Sequence, residues 1–254
     1  MTPITLACRV QSYAPFVPLA FEHLASLGIR HVEIPVPKPA ELDSVARELD
    51  RHGLTATTLH GECDVRREDV AERVAAQMPA FETLGTRVLF VSVKAENTSL
   101  DTAYERFRAA GDVAARHGVT IAVETHPDLA ENAAVALRTM RGVNHPSVRI
   151  NYDTANIYFY NRDVDTVAEL RQVAPFVAAV HLKDTNGGYR AWHFPALGRG
   201  IVRFADVFAT LDGVGFAGPY TLEIEGIEGE PRTERSVCDR IAESVGYLRG
   251  LGRI

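Results

Sequence analysis

Cysteine is scarce in this sequence, and the three that occur, Cys8, Cys63 and Cys238, lie far apart among 254 residues. Their spacing fits neither a zinc site nor the disulfide framework of a small secreted domain. Disulfides persist mainly in oxidising compartments, so this pattern is typical of reduced thiols in a cytoplasmic protein.

A surplus of basic residues is also missing, because the formal net charge is −6. Nucleic-acid-binding proteins usually carry a basic surface, so we expect no nucleic-acid partner. No apolar run approaches the ~18 residues that a membrane span requires. Residues 1–7 lack the basic region and the long apolar stretch of a signal peptide. These absences predict a cytoplasmic protein without a membrane segment.

The sequence does contain a regular alternation of helix-like and strand-like segments. Amphipathic stretches end at a glycine, and an apolar run rich in β-branched residues follows within a few positions. The predicted strands are residues 4–10, 31–35, 54–60, 88–93, 119–124, 149–153, 176–182 and 220–225, and the predicted helices are residues 16–27, 39–52, 66–84, 102–117, 131–141, 164–173, 204–211 and 233–251. This alternation predicts an α/β fold with one domain over residues 1–254, a single (β/α)8 TIM barrel. The alternative, an open doubly wound sheet, normally has a glycine-rich phosphate loop after an early strand, and the sequence has none.

Polar side chains gather at the ends of the predicted strands. Glu124 and His126 have the same parity, so both should leave their strand on one face. The strand-end candidates are His60, Glu62, Glu124, His126, Asp153, Asn156, His181, Lys183, Asp184, Glu223 and Glu225. In a barrel these ends share one face, and that face carries the functional site. The remaining strands end in Glu33, Ser92 and Lys94, and we assign no role to the lone charge of Glu33.

A cluster of three carboxylates and one histidine needs a counter-charge, because like charges disfavour one another's ionisation. A divalent cation provides it. Three oxygen donors and one imidazole suit Mn²⁺ or Mg²⁺ better than a thiolate-seeking metal, with Zn²⁺ or Co²⁺ as alternatives. We therefore expect one divalent metal ion at this end of the barrel.

Five short motifs stand at or near these strand ends. They are VETH over 123–126, NYDTAN over 151–156, HLKD over 181–184, LGRG over 197–200 and LEIE over 222–225. In this order they make the chain resemble, over essentially its whole length, the xylose-isomerase-like TIM barrels of the sugar phosphate isomerase/epimerase family. Each motif alone is weak, and together they indicate the superfamily rather than the substrate.

The resemblance implies that Glu124, Asp153, His181 and Glu223 hold the metal. It also implies that Glu124 and Glu223 act as acid and base on opposite faces of a carbon next to a carbonyl, through an enediolate that the metal stabilises. The expected enzyme is an isomerase or epimerase of a small sugar or keto-polyol. The main alternative is a lyase or dehydratase of a keto-cyclitol or keto-sugar, because the first step would be the same.

Two departures from the family pattern lie beside the expected ligands. Several family members have a histidine three residues after the metal-binding aspartate, where this chain has Asn156. An amide can donate a hydrogen bond but cannot carry a proton near neutral pH. Ketose 3-epimerases have an arginine shortly after the histidine ligand, whereas this chain has Lys183 and Arg190. Both departures argue against an epimerase of free ketoses and leave the metal site intact.

Seven residues are candidates for substrate binding: Lys183, His126, Asn156, His60, Glu62, His193 and Arg199. For Lys183 the alternative is a buried salt bridge, and for His126, His60 and Glu62 it is support of neighbouring groups. Loop 184–203 contains the single tryptophan, Trp192, and either covers the site as a lid or forms a dimer contact. The aromatic run 158–160 is expected to pack in the core or at an interface, and the alternative is a wall for the apolar face of a sugar.

Two other functions fit the sequence less well. A DNA-repair endonuclease on a related barrel uses three zinc ions and would need more histidine ligands and a basic docking surface. A non-catalytic sugar-binding relative is disfavoured by the intact set of ligands. Dimers are common among such barrels, which leaves a homodimer open as the assembly.

Overall fold

Eight parallel strands close into a barrel in this computed structural model, which describes residues 3–254. Met1 and Thr2, the start of the stretch considered above for a signal peptide, lie outside the described residues. In their order around the barrel the strands are β1 (Leu6–Arg9), β2 (His31–Pro35), β3 (Thr55–His60), β4 (Val88–Val91), β5 (Thr120–Glu124), β6 (Val148–Asp153), β7 (Val177–Leu182) and β9 (Tyr220–Leu222). Strand β9 pairs with both β7 and β1, so the sheet closes and the predicted (β/α)8 fold is confirmed.

Helices connect the strands and cover the outside of the barrel. They are α1 (Ala20–Ser26), α2 (Leu42–His52), α3 (Val70–Ala75), α4 (Met78–Leu84), α5 (Leu100–Arg116), α6 (Ala133–Val143), α7 (Asn156–Tyr160), α8 (Thr166–Val173), α9 (Phe204–Asp212) and α10 (Glu234–Gly250). Four of these helices have a side-chain cap at the N-terminus. The side chains of Ser99, Asn132, Asp165 and Thr233 each accept a hydrogen bond from a backbone N–H of the first turn.

The structure departs from the predicted elements in three places. The helix expected over 66–84 is two helices, α3 and α4, because Pro79 stands in the first turn of α4 and has no N–H to continue a longer helix. The short helix α7 follows directly after β6 and was not predicted. A two-stranded antiparallel sheet of β8 (His193–Phe194) and β10 (Gly226–Ile227), also unpredicted, lies outside the barrel.

The end of the barrel where the strands begin is sealed by the C-terminal segment. The Arg253 side chain is buried, and its two terminal nitrogens donate to the two carboxylate oxygens of Asp212 at 2.8 and 2.9 Å. Its guanidinium group also lies 4.6 Å from the centre of the Phe208 ring. Ile4 donates its backbone N–H to the Arg253 carbonyl at 2.9 Å. These contacts join the last residues of the chain to the start of β1.

The opposite end, where the strands finish, collects the polar residues predicted from the sequence. The register of the parallel strands places Asp153 beside His181 and Glu124 beside Asn151. The pairing of β2 with β3 shifts between Val32 and Glu33, which is the kind of irregularity that redirects a side chain. No helix within residues 3–254 is both long enough and apolar enough to cross a membrane.

Candidate metal centre and active site

Four side chains from β5, β6, β7 and the residue after β9 converge in the barrel. Glu124, Asp153, His181 and Glu223 are all buried, and each offers one ligand atom within 4.8 Å of the others. The Nδ1 atom of His181 lies 3.2 Å from Glu223 Oε2 and 4.0 Å from Glu124 Oε1. The strand ends therefore bring together the four residues that the resemblance implied as ligands.

The surroundings of Asp153 fit a metal ligand. One oxygen, Oδ1, accepts backbone N–H groups of Ala155 and Asn156 at 2.8 and 2.9 Å. The other, Oδ2, is buried without a hydrogen bond, although a buried carboxylate oxygen normally has a partner. Three oxygen donors and one imidazole are the ligand chemistry of Mn²⁺ or Mg²⁺. The residues present could therefore hold such an ion, which would neutralise the cluster.

The surroundings shift the pKa values of the three carboxyl groups in different directions. Burial and the neighbouring Glu223 raise the pKa of Glu124. Burial raises the pKa of Asp153 to about 7 despite the nearby Lys183. Burial also opposes the charge of Glu223, but Lys183, His181 and Arg9 together hold its pKa well below the ordinary value. The two glutamates thus differ in how readily each carries a proton.

Lys183 is the buried cation of the site. Its ammonium group lies 3.2 Å from Glu223 Oε2 and 3.6 Å from Asp153 Oδ2, and it also pairs with Glu225. Burial lowers its pKa, but Glu223, Asp153 and Glu225 outweigh burial and raise it well above the usual value. The predicted alternative, a buried salt bridge, is therefore present, and the ammonium group also reaches the cavity described next.

A cavity of about 290 Å³ opens above the cluster. Its lining is Arg9, Ser92, Glu124, His126, Asn156, Phe159, Tyr160, Lys183, Trp192, Phe194, Glu223 and Glu225. The aromatic rings form one wall, with Trp192 and Phe194 ring centres 5.2 Å apart. A small cavity with convergent polar groups and an apolar wall is the usual form of a small-molecule site.

The loop after β7 supplies part of this wall and is held by one buried carboxylate. Asp184 accepts four backbone N–H groups, from Thr185, Gly198, Gly200 and Val202. The β8–β10 pairing joins the same loop to the segment after β9. The loop is therefore bound to the barrel at both of these points.

Arg9 and Ser92 contact the cluster although sequence reasoning gave them no role. Arg9 donates to Glu223 Oε1 at 2.7 Å, and Ser92 donates to Glu124 Oε2. Both residues stand at or just past the C-terminal end of a barrel strand. The signal that could have identified them is this position, since all strand ends of a barrel share one face.

Three of the predicted substrate residues, Lys183, His126 and Asn156, line the cavity. The Asn156 amide donates to the Thr125 carbonyl at 3.1 Å and more weakly to Glu124 Oε1 at 3.4 Å. The His126 ring packs against Tyr160, with ring centres 4.9 Å apart, and burial lowers its pKa. Their contact with substrate remains a prediction.

The other four candidates lie outside this cavity. His60 contacts Arg9 at 3.4 Å and, with Glu62, lines a neighbouring groove of about 680 Å³. Glu62 makes a two-point ion pair with Arg73 near the surface. His193 alternates with the cavity-lining Trp192 and Phe194 and does not line the cavity itself. The exposed Arg199 pairs with Glu243.

These features, a closed eight-stranded barrel with an acidic, histidine-containing cluster at its C-terminal end, agree with the sequence comparison. The chain belongs to the xylose isomerase-like TIM barrel family, whose model matches residues 21–248. This membership confirms the resemblance seen in the five motifs.

One curated relative resembles part of the chain. Over 115 residues, 44% of this chain, the sequence is 34% identical to L-ribulose-5-phosphate 3-epimerase UlaE from Salmonella paratyphi C. The match spans 39% of that relative's length, so the chain matches less than half of it.

Solved structures share the fold. A xylose isomerase domain protein from Planctomyces limnophilus superimposes with a TM-score of 0.79 at 22% identity, covering 98% of this chain and 97% of the other. An L-ribulose 3-epimerase gives a TM-score of 0.77 at 16% identity, covering 100% and 95%. At these identities the likeness establishes the barrel architecture.

Proposed function

We propose that this protein is a divalent-metal-dependent isomerase or epimerase of a small sugar or keto-polyol. The observation that carries the proposal is the convergence of Glu124 and Glu223 with Asp153 and His181 beneath one small cavity. Two relatives, the L-ribulose-5-phosphate 3-epimerase and the L-ribulose 3-epimerase, support it through the activity in their names. The reaction is proton transfer at a carbon next to a carbonyl.

Glu124 and Glu223 are the proposed acid and base. Glu124 accepts hydrogen bonds from the neutral groups of Ser92 and Asn156. Glu223 instead lies beside the cations of Arg9 and Lys183. Pairs of carboxylates in unlike surroundings are the arrangement that lets one group accept a proton while the other donates one.

The metal proposed for this site is Mn²⁺ or Mg²⁺, held by the four buried residues. When bound, it would stabilise the negative charge that develops on the substrate oxygens. Lys183, Asn156 and His126 would bind and orient the hydroxyl groups of the substrate. The aromatic wall, which includes Trp192 and Phe194, would exclude water from the reacting carbon.

A second candidate function is a lyase or dehydratase acting on a keto-cyclitol or keto-sugar. The same cluster would serve it, because removal of a proton next to the carbonyl is the first step of both reactions. The products separate the two functions, since an isomerase conserves the mass of its substrate and a dehydratase releases water.

The first test is metal content, measured by mass spectrometry on the wild type, Asp153→Ala and the control Asp165→Ala. Asp165 caps α8 and lies outside the cluster. We expect about one divalent ion per chain in the wild type and in the control, and none in Asp153→Ala. Solvent-deuterium incorporation into free ketoses, ketose phosphates and inososes then identifies the substrate class.

Other outcomes would favour a different function or refute the proposed mechanism. Three zinc ions per chain would favour the endonuclease, although one group of potential ligands is found within residues 3–254. No bound metal after reconstitution with Mn²⁺ would refute the mechanism. Metal binding without deuterium incorporation into any of these substrates would favour a non-catalytic sugar-binding protein.

A further inference from the structure

Glu33 is a fully buried carboxylate that the proposed chemistry leaves without a role. It is the third residue of β2, a strand otherwise rich in apolar side chains, and its relative exposure is 0%. A buried charge is costly unless it is paired or hydrogen-bonded. Its contacts should therefore explain why the barrel retains it.

The hydrogen bond of Glu33 goes to His181. Glu33 Oε2 lies 3.0 Å from Nε2 of the imidazole, while Nδ1 of the same ring lies toward Glu223 and Glu124. The two ring nitrogens therefore have separate partners, with Nδ1 toward the proposed ligands and Nε2 toward Glu33.

Glu33 contacts Arg9 more weakly than it contacts His181. Arg9 Nε lies 3.8 Å from Glu33 Oε1, which is too far for a hydrogen bond, and Oε1 has no hydrogen-bond partner. Arg9 instead donates to Glu223 at 2.7 Å. A simple ion pair with Arg9 therefore does not account for the position of Glu33.

We propose that Glu33 is a positioning residue that fixes the orientation and tautomer of His181. An ionised carboxylate only accepts hydrogen bonds, so the imidazole must carry its proton on Nε2. Nδ1, which lies 3.2 Å from Glu223 Oε2, would then offer its lone pair to a cation held by the proposed ligands. Metal-binding histidines commonly donate their other N–H to a carboxylate, which fixes the ring and raises its basicity. This inference rests on the metal centre proposed above.

The test compares Mn²⁺ affinity, by titration calorimetry, in the wild type, Glu33→Gln and Thr58→Val. Glutamine keeps the shape of Glu33 but lacks its charge, and its NH₂ group can face Nε2 and stabilise the tautomer with Nδ1 protonated. Thr58 is the matched control, since it is buried beside Glu33 in the β2–β3 register and its hydroxyl has no hydrogen bond. We expect Glu33→Gln to weaken Mn²⁺ binding by about 10- to 100-fold and Thr58→Val to leave it unchanged.

A second measurement needs no variant of Glu33. In the zinc-loaded wild type, heteronuclear NMR of the histidine nitrogens should show a proton on Nε2 of His181 and none on Nδ1. The signal is assigned by its loss in His181→Asn. A proton on Nδ1 would overturn the proposal, even if Glu33→Gln failed to fold.

The calorimetric outcomes separate this inference from the proposed function. Equal Mn²⁺ affinity in the wild type and Glu33→Gln would overturn the role of Glu33 alone, and so would an equal loss in Thr58→Val. No Mn²⁺ binding by the wild type would overturn both the role of Glu33 and the metal centre.

Discussion

The two ends of the barrel differ in how their buried charged groups are paired. Where the strands begin, the buried Arg253 is matched by both oxygens of Asp212. Where the strands finish, Glu124, Asp153 and Glu223 are buried together, and Asp153 Oδ2 accepts no hydrogen bond. The charge of Arg253 is thus paired by one carboxylate of the chain, whereas the three carboxylates at the other end share Lys183 and Arg9 and could also hold a cation from outside.

This difference indicates which end of the barrel stabilises the fold and which end carries the candidate site. In (β/α)8 barrels the C-terminal end carries the active site and the N-terminal end contributes stability. Substitutions at the two ends should therefore have opposite profiles. Changes around Asp153 should abolish metal binding with little loss of stability, and changes around Arg253 should do the reverse.

The largest effect is expected for the two proposed proton carriers. Glu124→Gln and Glu223→Gln should each slow solvent-deuterium exchange by about 100- to 10,000-fold, because an amide cannot act as an acid or base. Exchange rates are measured with saturating Mn²⁺, and urea unfolding is followed in parallel. Glu105→Gln, at an exposed position of α5, is the control and should leave both quantities unchanged. Normal exchange in either active-site variant would remove that glutamate from the mechanism.

At the other end, Asp212→Ala should lower the free energy of unfolding without affecting Mn²⁺ binding. It leaves the Arg253 charge buried without a partner, which should cost about 2–3 kcal/mol. The cost is below that of a fully buried pair because Asp212 is 41% exposed. Urea denaturation measures it. Asp206→Ala, which removes an exposed partner of Arg203 on the same helix, should cost less than about 1 kcal/mol. Equal losses in the two variants would contradict the stabilising role of the Arg253 pair.

Asp153→Asn tests the candidate metal end of the barrel, because it should change the free energy of unfolding with Mn²⁺ but not without it. At a Mn²⁺ concentration a hundredfold above the Kd, the wild type should gain about 2.7 kcal/mol, and the variant should gain nothing. Without metal, the variant should be at least as stable as the wild type, since burial already raises the pKa of Asp153 to about 7. Unfolding is measured with Mn²⁺ and with a chelator. A large loss of metal-free stability would mean that Asp153 has a structural role.

The smallest effect is the pH dependence of the Asp212–Arg253 pair. The hydrogen bonds from Arg253 lower the pKa of Asp212 in the folded chain. The pair therefore stabilises the protein above the unfolded-state pKa, near 4, and this contribution is lost as the pH falls through the folded-state pKa. The difference in unfolding free energy between wild type and Asp212→Ala should shrink as the pH falls below about 5. A difference that does not change with pH would exclude this linkage.

The barrel was predictable because its signals are local. Several strands follow an amphipathic helix that ends at a glycine, such as Gly53 before β3 and Gly85 before β4. Thr233, the N-terminal cap of α10, is the first residue of the predicted range of that helix. The break between α3 and α4 was missed although its cause, Pro79, is visible in the sequence. The pairing of β8 with β10 joins residues more than thirty positions apart, and such contacts leave no periodic signal in the sequence.

The candidate site was predictable in part for the same reason. Strand ends of a barrel meet, so the four expected ligands do lie together, and their binding of metal stays a prediction. Arg9 and Glu33 were not assigned, because their contacts depend on the strand register and on the shift between Val32 and Glu33. Glu62 lies two residues beyond the end of β3, where the chain has turned toward Arg73.

The loop that Asp184 holds in place limits which changes of sequence the barrel can accept after β7. One carboxylate accepts four backbone N–H groups spread over residues 185–202, so an insertion or deletion between them would remove several contacts at once. A side chain at Gly200 would place its first carbon 2.2 Å from the Thr185 carbonyl oxygen. By contrast, the partly exposed side chains of Tyr189 and of the cavity-lining Trp192 make no such demand on the backbone. Exchange of individual side chains should therefore change the cavity wall without disturbing this loop, whereas a change in the length of the loop should disturb its backbone.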